Sequence, residues 1–391
     1  MEGARALQPR TVALRRAVHR HPELGLQLPV TQAAVLRALD GLPLRVHTGK
    51  DLSSVVAVLA GARPGPAVLL RADMDALRMS ERTGLFYASE EAELMHACGH
   101  DTHVAMLVSA ARLLCARREA LAGQVVFMFQ PGEEGCGGAE RMIDEGLLRI
   151  ADGHLSRAFA LHITASIRSG VVACRPGPLM ASSDTFTVRV IGRAGHAAMP
   201  HQVLDPVPPA AAMVGALQTM VTRRVAATDP AVLTVTQIMA GTTTNIIPDS
   251  AELTGTIRAF SEQTRATLHQ ELRRVCEHVG AAHDCAVRVS IDPGYPVTVN
   301  DEHTGVAVLD LATQVFGQRH VELMSEPIMG AEDFSQVLRK VPGALAFLGA
   351  CPPGTDPAHA APNHSDRVLF DESAMEYGVA LYAAFALDAL R

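Results

Sequence analysis

No stretch of this 391-residue sequence approaches the uninterrupted apolar length needed to span a bilayer. Residues 1–10 carry Arg5 and Arg10 but lack the apolar segment of an export signal. Both absences point to a soluble, cytoplasmic protein with no membrane partner. Positive charge is also short: 34 Lys and Arg against 41 Asp and Glu leave a formal net charge of -7, and the cations are scattered. That distribution offers no footprint for nucleic acid. Cysteine is sparse, with seven residues at 98, 115, 136, 174, 276, 285 and 351. An odd, widely spaced set argues against a disulfide framework and for a reducing compartment, so any special cysteine is catalytic or metal-binding. Internal repeats are missing, and the proline-rich stretch Cys351–Pro362 reads as a loop.

What is present is enough apolar material, 48% of the chain, to bury a large core and to make a second domain the expectation. The first half alternates apolar strand-like runs with helical patterns. Ser54–Leu59, Ala67–Leu70, Gln124–Phe129 and Ala158–Leu161 read as strands, and Thr31–Leu42, Thr102–Ala116 and Ala139–Leu148 as helices. This predicts an α/β domain whose largely parallel sheet is covered by helices. From about Ser182 the order changes. Strand Thr185–Ile191, helix Pro206–Arg223, strands Val232–Met239 and Ala251–Ala259, helix Glu262–Gly280 and strand Ala286–Ile291 spell βαββαβ. Helices at Gly305–Phe316, Glu332–Val341 and Glu372–Leu387 and a strand at Ala344–Leu348 then resume the α/β pattern. The expected organisation is an outer domain of residues 1–181 and 294–391 with a small domain, residues 182–293, inserted into it.

Five segments gather His, Cys, Asp and Glu at the ends of apolar strands, where open α/β sheets place their ligands. They are Arg71–Asp75, His96–His103, Gln130–Gly135, Leu161–His162 and Pro362–Asp366. In the second, Cys98 and His100 lie two apart, and Gly99 between them lets both donors reach one centre. Thiolate and imidazole suit borderline-soft divalent ions. The plainer alternative is a polar loop entering a helix, with Asp101 or Thr102 as its cap. Glu133 and Glu134 follow an apolar strand, and two such carboxylates can divide their work, one holding a metal and the other reaching its water. The plainer alternative there is a solvated acidic turn. His162 and His364 gain interest from the count: with Cys98, His100 and Glu134 they make five donors, enough for two adjacent ions completed by a bridging water.

Taken together, these motifs give the chain its resemblance to the metal-dependent aminoacylase and carboxypeptidase clan of metallopeptidases. The branch it resembles is the amidohydrolases, with hippurate hydrolases and indole-acetyl-amino-acid hydrolases. The resemblance runs through His19–Leu24, Arg71–Leu77, His96–His103, Gln130–Gly135, Ala194–His201, Gly241–Asp249, Gly255–Arg258, Gly330–Phe334 and Asn363–Ser365. It implies a zinc-peptidase-like mixed sheet covered by helices, with an inserted ferredoxin-like lid that commonly dimerises. Cys98, His100, Glu134, His162 and His364 match the family's two-metal ligand set, with Cys98 as the bridge, and Glu133 matches its general base. Asp75 falls where the clan keeps a carboxylate behind the metal site. His196 matches a lid histidine that polarises the scissile carbonyl, and Asn245 and Arg258 match lid residues that bind substrate.

The implied reaction is hydrolysis of the amide bond of small N-acylated amino acids by a homodimer with two divalent ions per active site. Mn²⁺ and Zn²⁺ come first, and Co²⁺ or Ni²⁺ also suit the donors. A dipeptidase or carbamoylase on the same site and a non-catalytic metal-dependent binding protein are the competing readings. The last has no use for Glu133. Two departures bear on the acyl pocket rather than on a ligand. Arg78 stands where the family usually has proline, and Ile163-Thr164-Ala165 lacks the aromatic often found there, in a chain without tryptophan.

Overall fold

Ala67–Leu70 is apolar at every position, as a strand covered on both faces requires, and it forms the buried centre of a strand that runs on to Asp73. In the computed structural model, which describes all 391 residues, the chain divides into two compact units. One comprises Met1–Gly177, Val299–Glu326 and Asp333–Arg391, the other Pro178–Thr298 and Pro327–Glu332. The boundaries expected at 182 and 293 lie a few residues inside the second unit. Pro327–Glu332, expected with the outer domain, groups with the second unit instead.

The elements of the first unit up to its first exit are α1 (Glu2–His19), α2 (Pro29–Leu39), β1 (Arg45–Thr48), β2 (Val55–Ala60), β3 (Arg63–Asp73), α3 (His100–Cys115), β4 (Ala122–Gln130), α4 (Gly138–Asp144), β5 (Leu155–Thr164) and β6 (Val172–Cys174). The second unit contributes β7 (Asp184–Ile191), α5 (Val207–Arg224), β8 (Ala231–Ala240), β9 (Ser250–Ala259), α6 (Glu262–Ala281) and β10 (Ala286–Pro293). The returning chain adds α7 (Glu302–Phe316), β11 (Val321–Leu323), α8 (Ser335–Leu338), β12 (Gly343–Gly349) and α9 (Met375–Ala389) to the first unit.

Eight strands form the first unit's sheet in the order β1-β2-β4-β3-β5-β12-β6-β11. The sheet is mixed rather than largely parallel: β1–β2, β2–β4 and β12–β6 run antiparallel around a parallel centre. Because β4, β3, β5 and β12 are parallel neighbours, their C-terminal ends open on one edge. That edge carries Asp73, Gln130 and His162 and the segments that follow them. Phe127, Phe129 and Phe159 lie at 0% exposure in the core, each contributing about 1.5–3 kcal/mol. Thirteen of the sixteen residues of α3 are buried, so this helix is a core element on all its faces.

Two further stretches differ from the sequence reading. Residues 2–19, left without an element above, form a helix despite Pro9 in its interior. Glu332–Val341, expected as a helix, is helical only over α8. Glu332 and Asp333 are both buried, so tertiary polar bonds rather than helical period set the start of that segment.

The second unit is the βαββαβ sandwich, with all-antiparallel order β8-β9-β7-β10. Its two central strands, β7 and β9, bury every second residue. Phe186, Val188, Leu253 and Ile257 pack on Met213 and Leu217 of α5 and on Leu268 and Leu272 of α6. Ser261 caps α6 by accepting a hydrogen bond from the Thr264 N–H at 3.1 Å. No helix in either unit is long and apolar enough to cross a membrane.

Candidate metal centre and active site

The turn into α3 is built around one glycine. Gly99 has φ +87°, and a Cβ there would lie 2.4 Å from Ile163 Cγ2, so no other residue fits between Cys98 and His100. Neither Asp101 nor Thr102 caps the helix. The Thr102 hydroxyl donates to the Gly99 carbonyl at 2.6 Å, and Asp101 accepts from Arg15 Nε at 2.8 Å.

Five donors from four separate segments meet beside this turn. Cys98 Sγ lies 3.3 Å from His162 Nε2 and 3.2 Å from His364 Nε2, and His364 Nε2 lies 3.2 Å from Glu134 Oε1. The ligand atoms group as Cys98, His100 and His162, as Cys98, Glu134 and His364, and as His100, Glu133 and Glu134, each within 4.8 Å. Cys98 is shared by the first two groups. The imidazole tautomers are set from behind. His100 Nδ1 donates to the Asp75 carbonyl at 2.9 Å and His162 Nδ1 to the Ile163 carbonyl at 2.8 Å. In the neutral ring, each Nε2 is therefore left with its lone pair toward the cluster.

A cation fits this set. His100 Nε2 is buried without a hydrogen-bond partner, and Glu134 Oε1 has only its ion pair with His364, an arrangement that is costly unless an ion or water engages them. One thiol, three imidazoles and a carboxylate match Zn²⁺ and its neighbours in the transition series. The electrostatics agree. Burial alone would raise the Cys98 pKa, but His162 and His100 outweigh it and draw the thiol down to about 6. Burial would lower that of His162, but Cys98 carries it up to about 9. Hydrogen bonds to Cys98 and Glu134 bring His364 to about 10. The first shift favours the anionic thiolate at Cys98, and the other two favour positive charge beside it. His364 is also one of three non-glycine residues with positive φ, at +68°, held there as its N–H donates to the Ala97 carbonyl at 2.9 Å.

Asp75 stands behind the carboxylate pair. Its two oxygens accept the N–H groups of Glu133 at 3.0 Å and Glu134 at 2.9 Å, so its placement of both residues is direct. Glu133 is only 6% exposed, which rules out the solvated acidic turn.

Several residues that the motif reading left without roles support the centre. His103, three residues beyond His100, has both ring nitrogens engaged: Nδ1 donates to Asp73 at 2.5 Å and Nε2 accepts the Ile163 N–H at 2.7 Å. Burial, opposed by Asp73, pulls its pKa to about 4. It is thus a neutral support for the end of β5, with no lone pair left for a cation. Asp73 also pairs with Arg71 at 2.7 Å.

His19 lies between Asp101 and Glu81, at 2.9 and 3.2 Å. Burial would lower its pKa, but Asp101 and these hydrogen bonds raise it from 6.5 to about 9. A folded-state pKa above the unfolded one stabilises fully below about pH 6.5, and the contribution is lost as pH rises through about 9. The shift corresponds to about 3 kcal/mol. The urea midpoint is expected to fall across that window, and His19→Gln to flatten the slope. An unchanged slope in the variant would assign it to another group.

The remaining sequence candidates belong to the second unit. His196 pairs with Ile246 in a two-residue ribbon, and the Ala197 N–H donates to the Asn245 carbonyl at 3.0 Å, so His196 and Asn245 are neighbours and both are exposed. Arg258 is half-buried on β9, where burial lowers its pKa against the opposing charge of Asp184.

Residues 69–388 match the sequence profile of peptidase family M20/M25/M40. The chain belongs to this family, as a metallo-amidohydrolase. Thermostable carboxypeptidase 1 of Saccharolobus solfataricus is 36% identical to it over 387 residues, 98% of this chain and 96% of that one. The N-acetyl-L-cysteine deacetylase of Bacillus subtilis is 36% identical over 94% of this chain and 85% of its own length. Among solved structures, the YxeP protein of Bacillus subtilis, described as a dinuclear metal binding peptidase of the M20 family, superposes with a TM-score of 0.86 at 31% identity, covering 99% of both chains. The amidohydrolase thus has the M20 fold in both its mixed eight-stranded sheet and its small antiparallel sheet.

Proposed function

We propose that this amidohydrolase hydrolyses small N-acylated amino acids to a carboxylic acid and a free amino acid. Cys98, His100, Glu134, His162 and His364 would hold two divalent ions, and Glu133 would act as general base. The observation that carries the reading is the sharing of Cys98 between two donor groups while Glu133 joins His100 and Glu134 in a third. When bound, a pair of divalent ions lowers the pKa of water and polarises a carbonyl.

The protein's own groups supply the rest. Glu133 takes the proton of the attacking water and returns it to the leaving amine. Asp75 keeps the Glu133 and Glu134 main chain in register through its two accepted N–H bonds. His196 donates to the developing oxyanion, Arg258 pairs its guanidinium fork with the substrate α-carboxylate, and Asn245 adds a polar contact to the bound substrate. Zn²⁺ and Mn²⁺ suit the donors best, with Co²⁺ and Ni²⁺ next.

The substrate class draws support from the N-acetyl-L-cysteine deacetylase. The thermostable carboxypeptidase favours a second reading, in which the acyl part is itself a peptide. Seven free thiols support residence in a reducing compartment such as the cytoplasm. A homodimer would pair through the edge strand β8, where Ile238 and Met239 are 51% and 54% exposed.

The test is hydrolysis of hippurate, N-acetyl-methionine, an indole-acetyl amino acid and a dipeptide by chelator-treated protein, with Mn²⁺ or Zn²⁺ added back. Metal-restored release of amino acid from the N-acyl compounds is expected. Preference for the dipeptide would move the assignment to the peptidase reading. Stoichiometric metal binding without turnover of any substrate would move it to a non-catalytic role.

A further inference from the structure

The carboxylate of Asp333 uses both oxygens on residues far from its own segment. Oδ1 accepts Gln130 Nε2 at 2.6 Å and Arg71 Nη2 at 3.3 Å, and Oδ2 accepts the Ala139 N–H at 2.9 Å. Gln130 is the last residue of β4 and Ala139 the second of α4. Residues 131–138 between them carry Glu133 and Glu134, so one side chain pins both ends of that loop. Asp75 fastens its middle. The loop is also pinched on itself: the Gly138 N–H donates to the Gly132 carbonyl at 3.0 Å, and a Cβ on Gly138 would meet Pro131 O at 1.7 Å.

We infer that Asp333 is a positioning residue for the Glu133–Glu134 loop, an inference that rests on the roles proposed above for those two carboxylates. A cap for α4 would need only the bond to Ala139, yet Oδ1 is turned to the strand end instead. Asp333 and Asp73 flank the fully buried Arg71, whose guanidinium lies 5.6 Å from the centre of the Phe334 ring. Buried ion groups of this kind are a poor source of net stability, and fixing geometry is their better-attested use. From Asp73 a chain of hydrogen bonds continues through the neutral His103 to the Ile163 N–H, next to His162. Arg71 therefore stands between the support of the carboxylate loop and the support of a histidine donor.

The experiment compares Asp333→Asn with Asp301→Ala, which removes the side-chain cap of α7 and serves as a purely structural control. Asparagine offers one carbonyl oxygen where two acceptors are used, and its amide would face a donor. Zn²⁺ affinity, measured by competition with a chromophoric chelator, is expected to weaken by about 10- to 100-fold, and kcat at saturating metal to fall by a similar factor with KM unchanged. Asp301→Ala is expected to lower the urea midpoint and nothing else. If Asp333→Asn also loses only stability, the inference is overturned. Should Asp333→Asn fail to fold, Gln130→Met decides by the same measurements: it cuts the link from Asp333 to the strand end, along with the 2.9 Å bond from Arg71 Nε to Gln130, and keeps the Arg71–Asp333 pair. Full activity of Glu133→Gln would defeat the functional reading instead, leaving the Zn²⁺ affinities to judge Asp333.

Discussion

Glu133→Gln is expected to lower kcat by about 10²–10⁴-fold, or roughly 3–5 kcal/mol of barrier, with both metal ions retained. The substitution is nearly isosteric and leaves the Glu133 N–H free to donate to Asp75 as before. At 6% exposure, the side chain has little bulk water beside it to take over the proton. Glutamine can still hydrogen-bond to water, so substrate binding and KM are expected to hold while the proton transfer is lost. The decisive measurement pairs kcat with metal content on the same preparation. Near-normal turnover with full metal would remove Glu133 as the base, whereas turnover lost together with metal would recast it as a ligand.

Much of this arrangement was legible in the sequence, for physical reasons that differ between the parts. The βαββαβ unit is readable because its half-buried strands alternate strictly, as in Asp184–Ile191 and Ser250–Ala259. The donor segments are readable because polar metal-binding residues stand out at the ends of apolar strands. Tertiary geometry supplied what remained hidden. His100 and His103 lie on the first turn of one helix, and no local pattern says which keeps a lone pair. The Asp73 carboxylate and the Ile163 N–H decide it by engaging both nitrogens of His103. Asp333 reaches Gln130 across 203 positions of chain, so the helical pattern expected over Glu332–Val341 gave no sign that its first residues are committed elsewhere. Pro9 hid α1 in the same way, since a proline within a helical pattern ordinarily ends it.

Cys98→Ala is the second large effect, and it separates a shared ligand from an ordinary buried thiol. Cys98 Sγ belongs to two of the donor groups, so its loss is expected to weaken both sites together rather than emptying one and sparing the other. Changes to groups that merely support metal ligands cost about 10- to 100-fold in affinity or activity, so removal of a shared ligand is expected to exceed that range. Metal content after dialysis against a weak chelator should fall well below two ions per chain, with kcat/KM falling in parallel. A second measurement needs no turnover. An ion that binds only the folded state stabilises it by about 4 kcal/mol when present at a thousand times its dissociation constant. Added Zn²⁺ should therefore raise the urea midpoint of the wild-type protein and leave that of Cys98→Ala nearly unmoved. Two full equivalents of metal in the variant would exclude Cys98 as a required ligand. One tightly held equivalent would place the thiol at a single site, leaving His100 and His162 or Glu134 and His364 to hold the other ion without it.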